Sequence, residues 1–270
     1  MQAVLFDNEI LDLIGIDEVR KEEWDKYTYD SIGAVPRVTN ILKQCRDSEG
    51  LIQWASNVGR SKYLYYREKA LNIGTIVHEL IDEYISYVCP SPNLPKIDRF
   101  EINYSEIDGD YRSSVYNCIE NFKLWINKLN EIGCPIQEVI GLEIPIACPW
   151  YGGTIDGIIK INGMNYIVDF KTSKSISPEY LLQVAAYMWI INNGYVPNLP
   201  HIDGIGIIRV DKSRAGIIDD IFLNEYKDSD IILGYQKCFA SYVEAFYRTI
   251  NTNCITRNYT EKYIREDILK

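Results

Sequence analysis

A chain of 270 residues, 47% hydrophobic and 24% charged, has the size and apolar content of one elaborated globular domain or two small ones, with enough material for a sizeable core. No apolar run reaches the ~18–20 residues that a membrane helix needs, and the N-terminus lacks a basic-then-apolar signal pattern, so the sequence predicts an unprocessed cytosolic protein with no membrane contact. The formal net charge of −10 disfavours broad coating of a nucleic-acid duplex, whose phosphates attract Lys and Arg, but leaves room for a narrow basic groove.

The first thirty residues carry acidic clusters (Asp17, Glu18, Glu22, Glu23) and read as a peripheral segment. From Thr39 to about Val88 apolar residues recur at three- and four-residue steps, among them Ile41, Leu42, Trp54, Ile76 and Ile81, which predicts helix. Cys89-Pro90-Ser91-Pro92 ends that region with strong breakers, and a second amphipathic helix follows from about Tyr111 to Asn130, stopping near Gly133 and Pro135.

The texture then changes. Val139–Cys148, Thr154–Ile161 and Tyr166–Thr172 have the β-branched and aromatic content of strands. Asn162-Gly163 between the last two is a strong hairpin signal. Ser177 caps and Pro178 opens a helix to about Asn193, closed by Gly194; Ile202–Val210 and Ile217–Leu223 add strands, and a helix spans about Ile231–Ile250. The order predicts a single α/β domain, a mixed sheet flanked by helices with a helical N-terminal elaboration: helical over 35–131, an α/β core over 135–225, a C-terminal helix and tail over 228–270. The seven cysteines (45, 89, 118, 134, 148, 238, 254) are scattered, odd in number and never form C-x-x-C. No disulfide framework, zinc ribbon or iron–sulfur cluster is expected, and most of the thiols should be small buried apolar groups.

With Asn162-Gly163 as the turn, Ile161 faces Met164, and counting back sets Asp156 directly opposite Asp169, with Lys171 on the same face. Ile155, Ile159, Ile161, Val168 and Phe170 point the other way, into an apolar layer. Directly opposed like charges destabilise a sheet. Either a divalent cation between the carboxylates offsets the repulsion, Mg²⁺ or Mn²⁺ being suited to oxygen ligands, or Lys171 neutralises the pair on a solvated face.

Gly152-Gly153-Thr154-Ile155-Asp156, twelve residues, then Asp169-Phe170-Lys171-Thr172, resembles the D…(D/E)-x-K core of the PD-(D/E)XK nucleases. Gln183-x-x-x-Tyr187 is similar to the Q-x-x-x-Y motif of their RecB-type branch, and Gly74-Thr75-Ile76-Val77-His78 to its helix-borne histidine. Val38-Thr39-Asn40-Ile41-Leu42 and Trp54 resemble the N-terminal segment of the mitochondrial genome-maintenance and phage exonucleases of that branch. The resemblance runs from about Val35 to Val210.

What it implies is a restriction-endonuclease-like core hydrolysing DNA with Mg²⁺ or Mn²⁺, as an exonuclease on single strands or free ends, in the cytoplasm of a bacterial or phage-infected cell. Asp156, Asp169 and the backbone carbonyl of Phe170 would be metal ligands, joined by His78, which on its helix pattern alone reads equally as a packing residue. Lys171 would orient or deprotonate the attacking water. Glu143, in the strand before the hairpin, would complete the shell, although an exposed edge-strand glutamate looks the same. Gln183 and Tyr187 would contact phosphate or base, although as an isolated pair they read as a boundary between core and solvent. Apart from the resemblance, Lys174 and Arg209 read either as phosphate contacts or as solvated basic residues, and His201 reads as structural. Tyr63, Tyr65 and Tyr66 near Arg60, Lys62 and Arg67 would either stack bases or pack a helix against a solvated face. The late cysteine triplet of the iron–sulfur relatives is absent. The competing expectations are a structure-specific or restriction-like endonuclease, and a non-catalytic DNA- or protein-binding module on the same fold.

Overall fold

The computed structural model describes residues 27–29, 33–45, 49–89 and 91–268, with side chains described for 35–43, 49–89 and 91–249. The acidic clusters at Asp17, Glu18, Glu22 and Glu23 lie outside the described residues. Strands β1 (Tyr27–Tyr29) and β2 (Gly33–Val35) pair as an antiparallel ribbon. Helices α1 (Val38–Cys45), α2 (Glu49–Val58) and α3 (Arg60–Val88) then occupy the stretch expected to be helical. They are separate helices because the chain breaks between them, at Gly59 through a left-handed backbone (φ 81°) that glycine adopts without a Cβ penalty. Helix α4 (Gly109–Glu131) starts on Asp108, whose carboxylate accepts the Asp110 N–H.

The α/β core follows as β3 (Ile136–Ala147), β4 (Gly152–Ile161), β5 (Met164–Lys171), α5 (Pro178–Asn192), β6 (Gly204–Val210), β7 (Ile218–Asn224) and the long α6 (Glu225–Ile268), which is interrupted at Asp228. The five strands lie in the order β3-β4-β5-β6-β7. β5 and β6 run parallel and every other neighbour antiparallel. A parallel pair requires a crossover, and α5 supplies it. Every residue of α5 from Leu181 to Ile191 is buried, so this helix is apolar all round rather than on one stripe. With α1 and α6 it covers one face of the sheet; α3 and α4 cover the other with Ile73, Val77, Ile81, Phe122 and Trp125. The expected α/β fold, a mixed sheet flanked by helices with a helical N-terminal part, is the observed one. Among the described residues no helix is long and apolar enough to cross a membrane.

The Asn162-Gly163 turn has both residues left-handed (φ 51° and 77°), as a two-residue type I′ hairpin demands. Its register is the expected one, Ile161↔Met164 through Gly157↔Val168, so Asp156 and Asp169 come next and face each other. Of the two alternatives for the acid pair, the solvated-face one loses its premise along most of the hairpin: Ile158 and Ile167, which share the acids' parity, are fully buried in the cluster that holds α5. Ile159, Ile161, Val168 and Phe170 fill the opposite layer as expected, whereas Ile155 joins the α5 cluster. A parallel crossover helix buries both faces of the sheet, which leaves Asp169 2% exposed and Asp156 half-buried. Of the cysteines with described side chains, Cys118 and Cys148 are buried, Cys89 and Cys134 half-buried and Cys238 exposed, so the expected burial holds for two of five.

Candidate metal centre

Three elements distant in sequence converge at the open end of the β4–β5 hairpin. Helix α3 passes the end of β5 at Gly74, whose bare side faces Thr172 Oγ1. One turn later it presents His78. Strand β3 brings Glu143 and β4 brings Asp156, and one ligand atom from each of these three lies within 4.8 Å of the others. Small divalent cations bind at about 2.0–2.3 Å, so their ligands stand about 3–4.5 Å apart. The trio therefore fits such an ion with only slight side-chain adjustment.

Each member is held by its surroundings. Asp156 Oδ2 accepts the Phe170 N–H at 2.8 Å, which locks the carboxylate onto the next strand. His78 Nε2 lies 2.9 Å from the Phe170 carbonyl oxygen and Nδ1 lies 3.7 Å from Asp156 Oδ2. If Nε2 carries the proton it donates to that carbonyl and leaves Nδ1 as a free lone pair beside the acid. Glu143 is exposed and has φ 47°, a left-handed backbone inside a strand. For a side chain with a Cβ this costs about 1–2 kcal/mol. Its neighbours pair as Leu142↔Gly157 and Ile144↔Ile155, so the strain sits at the residue across from Asp156.

Asp169 is only 2% exposed. Its carboxylate contacts Lys171 Nζ at 2.5 Å, and it does not belong to the mutually close trio. Burial first, and then the Asp156 charge, push its acid up to about 6, against the opposing pull of Lys171 and His78. Burial by itself would lower the Lys171 ammonium, but Asp169 and Asp156 outweigh it, and the amine is held above its ordinary value. The same Nζ stands 5.0 Å over the Tyr180 ring. The two sequence alternatives for the acid pair thus divide between its members: Lys171 neutralises Asp169, while Asp156 faces His78 and Glu143.

Sequence reasoning missed Asp82. It follows His78 by four residues on α3 and so shares its face, a spacing that would have revealed it. With His78, Glu79, Glu143 and Thr75 it lines a cavity of about 560 Å³, and its Oδ1 is buried without a hydrogen-bond partner. Burial, then the charges of Glu143, Asp156 and Glu79, push this carboxyl up to about 8. An orphaned acid oxygen beside other carboxylates is a costly arrangement that a cation relieves.

Several expected substrate contacts are placed elsewhere. Gln183 and Tyr187 share a face as expected, but they are 8% and 3% exposed and Gln183 Nε2 donates to the Tyr187 hydroxyl at 3.4 Å. The Tyr187 ring packs where a Cβ on Gly153 would stand, 2.2 Å from the hydroxyl, so the pair supports β4 behind Asp156 rather than facing solvent. Arg209 is buried and engaged, donating to Asp219, Asp211 and the Ser173 carbonyl. It locks β6 to β7 with most of its donors, and at 4% exposed it does not present itself to a phosphate. Lys174 is exposed near the end of β5. His201 pairs with Glu225 at 3.1 Å on the surface, the structural role expected of it.

No family model matches the chain, and no curated protein does. Among solved structures it is similar to one described as "Crystal structure of SSO0001", 18% identical, covering 65% of this chain and 86% of that one at a TM-score of 0.27. A likeness this distant carries no argument about fold or activity.

Proposed function

We propose that the chain is a divalent-metal-dependent nuclease that hydrolyses DNA phosphodiesters, acting as an exonuclease on single strands or free ends. The observation that carries this reading is the convergence of His78, Glu143 and Asp156 within 4.8 Å, beside the buried Lys171–Asp169 pair. His78, Glu143 and Asp156 would hold Mg²⁺ or Mn²⁺, with Asp169 and the Phe170 carbonyl completing the shell; a nitrogen among oxygens favours Mn²⁺. When bound, such a cation polarises a phosphoryl oxygen and makes a water acidic enough to attack at neutral pH.

The side chains do the rest. Asp156, fixed by the Phe170 N–H, keeps its acceptor oxygens aimed at the His78 side. Lys171 carries its proton while Asp169 is its partner, so Nζ donates to a phosphoryl oxygen or to the attacking water and does not take a proton from it. Only when the Asp169 charge is engaged elsewhere does the amine lose what holds its proton, and only then is it available as a base.

The test is cleavage of linear single-stranded DNA with Mn²⁺ or Mg²⁺, comparing the native chain with His78→Ala, Asp156→Asn and Lys171→Ala. Each variant should lose at least about 10²-fold in rate. Lack of cleavage by the native chain, or equal cleavage by all four, would remove the proposal. Circular single strands decide between exonuclease and endonuclease, since only the latter cuts them.

A further inference from the structure

Seven of the twelve large apolar side chains exposed among the described residues fall between Leu51 and Leu71. No residue of α2 is buried. Trp54 is 40% and Tyr66 47% exposed, and their rings stand 6.0 Å apart, with Tyr63 at 5.9 Å from Trp54. Tyr65, by contrast, is tied to α4 by its bond to Asp110 at 2.5 Å and anchors the helix that carries the others. An exposed cluster of this kind marks a surface that binds something.

Charge and continuity say what. Residues 49–71 hold four cations (Arg60, Lys62, Arg67, Lys69) against two anions (Glu49, Glu68), a net +2 in a chain of net −10. On a helix of 3.6 residues per turn, Arg60, Leu64, Arg67, Leu71 and His78 form one stripe. The stripe runs directly into the cavity, which Leu71, Gly74 and Thr75 line together with His78 and Glu143. Tyr66 and His78 are about 18 Å apart along the axis and about a third of a turn apart around it, so a strand of a few nucleotides spans them by crossing from the rings onto the stripe. Rings beside a cationic track suit unpaired bases joined by phosphates; a duplex hides its base faces, and an apolar protein partner has no need of the track.

We infer that Trp54 and Tyr66 are a stacking platform for single-stranded nucleic acid, with Arg60 and Arg67 as the phosphate track that feeds the strand along α3 to His78. The inference rests on the nuclease reading only for where the strand is delivered.

Binding of a fluorescein-labelled oligothymidine, followed by anisotropy in EDTA so that nothing is cut, tests it. Trp54→Ala and Tyr66→Ala should each raise Kd at least fivefold, whereas Trp54→Phe and Tyr66→Phe should keep most of the affinity because a ring remains. Arg67→Ala should lower the slope of log Kd against log salt by about 0.7. A duplex of equal length should bind more weakly and be indifferent to the ring changes. Native affinity in the alanine variants, or equal ring dependence on duplex, overturns the platform. So does failure of the native chain to bind the oligomer, in particular if it self-associates in sedimentation through Trp54, which would make the surface a protein interface. Ring-dependent binding without cleavage would leave the platform and remove the nuclease reading; cleavage without ring dependence would do the reverse.

Discussion

Asp82→Asn should abolish most of the proton release that accompanies cation binding at neutral pH. In the metal-free protein the Asp82 carboxyl is pushed up to about 8, by burial first and then by Glu143, Asp156 and Glu79. At pH 7 such a group is about 0.9 protonated, and at pH 9 about 0.1. A cation among His78, Glu143 and Asp156 must expel that proton, because the positive charge reverses the field that retains it. Isothermal titration with Mn²⁺ in buffers of different ionisation enthalpy counts the protons. Native protein should release about 0.9 more than Asp82→Asn at pH 7 and only about 0.1 more at pH 9. If the variant binds too weakly to titrate, the slope of the native log K against pH, falling by about 0.8 between those values, carries the same information. Stability provides an independent arm. The unfolded chain loses this proton near 3.9 and the folded chain near 8, so between those values the unfolded state binds fewer protons and stability falls as pH rises. Asp82→Asn should flatten that slope and raise the metal-free melting temperature most above pH 8. Equal proton counts in native and variant protein, with an unchanged stability profile, would refute the reasoning.

Three further outcomes are expected. Glu143→Gly relieves a left-handed backbone at φ 47°, and the relief of about 1–2 kcal/mol offsets the entropic cost of glycine; the metal-free melting temperature should hold or rise while the Mn²⁺-induced thermal shift disappears, whereas destabilisation would mean the strain is not where the backbone places it. Lys171→Met leaves Asp169 buried without its counter-charge, so the Asp169 titration, followed by carboxyl ¹³C NMR, should move above about 6, and an unmoved titration would contradict the pairing. Asn121→Ala should lower the melting temperature by about 5–15 °C without changing Mn²⁺ affinity, because buried Asn121 donates to the Asp211 and Arg214 carbonyls and accepts the Gly216 and Ile217 N–H groups, none of which belongs to the candidate metal centre.

What the sequence disclosed and what it hid follow from the range of the forces involved. The Asn162-Gly163 turn is local, and a turn fixes register; hence the confrontation of Asp156 with Asp169 could be counted out residue by residue. The breakers that bound α4 and α5 are local too, as is the Asp108 cap of α4, whereas Ser177 precedes α5 without the expected side-chain cap bond. Burial is not. Period-two reading finds only one apolar face in the hairpin, yet α5 arrives from further along the chain to bury Ile158 and Ile167 on the other. Arg209 looked available for phosphate until β7 supplied Asp219. Tyr187 reads as a phosphate or base contact, although glycine at 153 inside a strand is a sign that something approaches closely there, and it is the Tyr187 ring.

The same distinction explains why the centre differs from a simple pair of acids on a hairpin. Two opposed carboxylates in one register would repel with nothing to separate them. The fold separates their roles by depth. Asp169, 2% exposed, cannot remain charged without a partner and takes Lys171; Asp156, half-buried in the middle of β4, is left to face a histidine from α3 and a glutamate held in a strained backbone on β3. Glu79, Asp82, Glu143 and the His78 imidazole line one cavity, with Asp156 beside His78, and little cationic charge from the protein balances them. A surface network would relax that repulsion by turning its acids outward. Here Asp82 is pinned within a helix with one oxygen buried and unpartnered, Asp156 is bonded to the Phe170 N–H, and Glu143 is kept in place at a conformational cost. Such persistence is what a site shaped around an added positive charge requires.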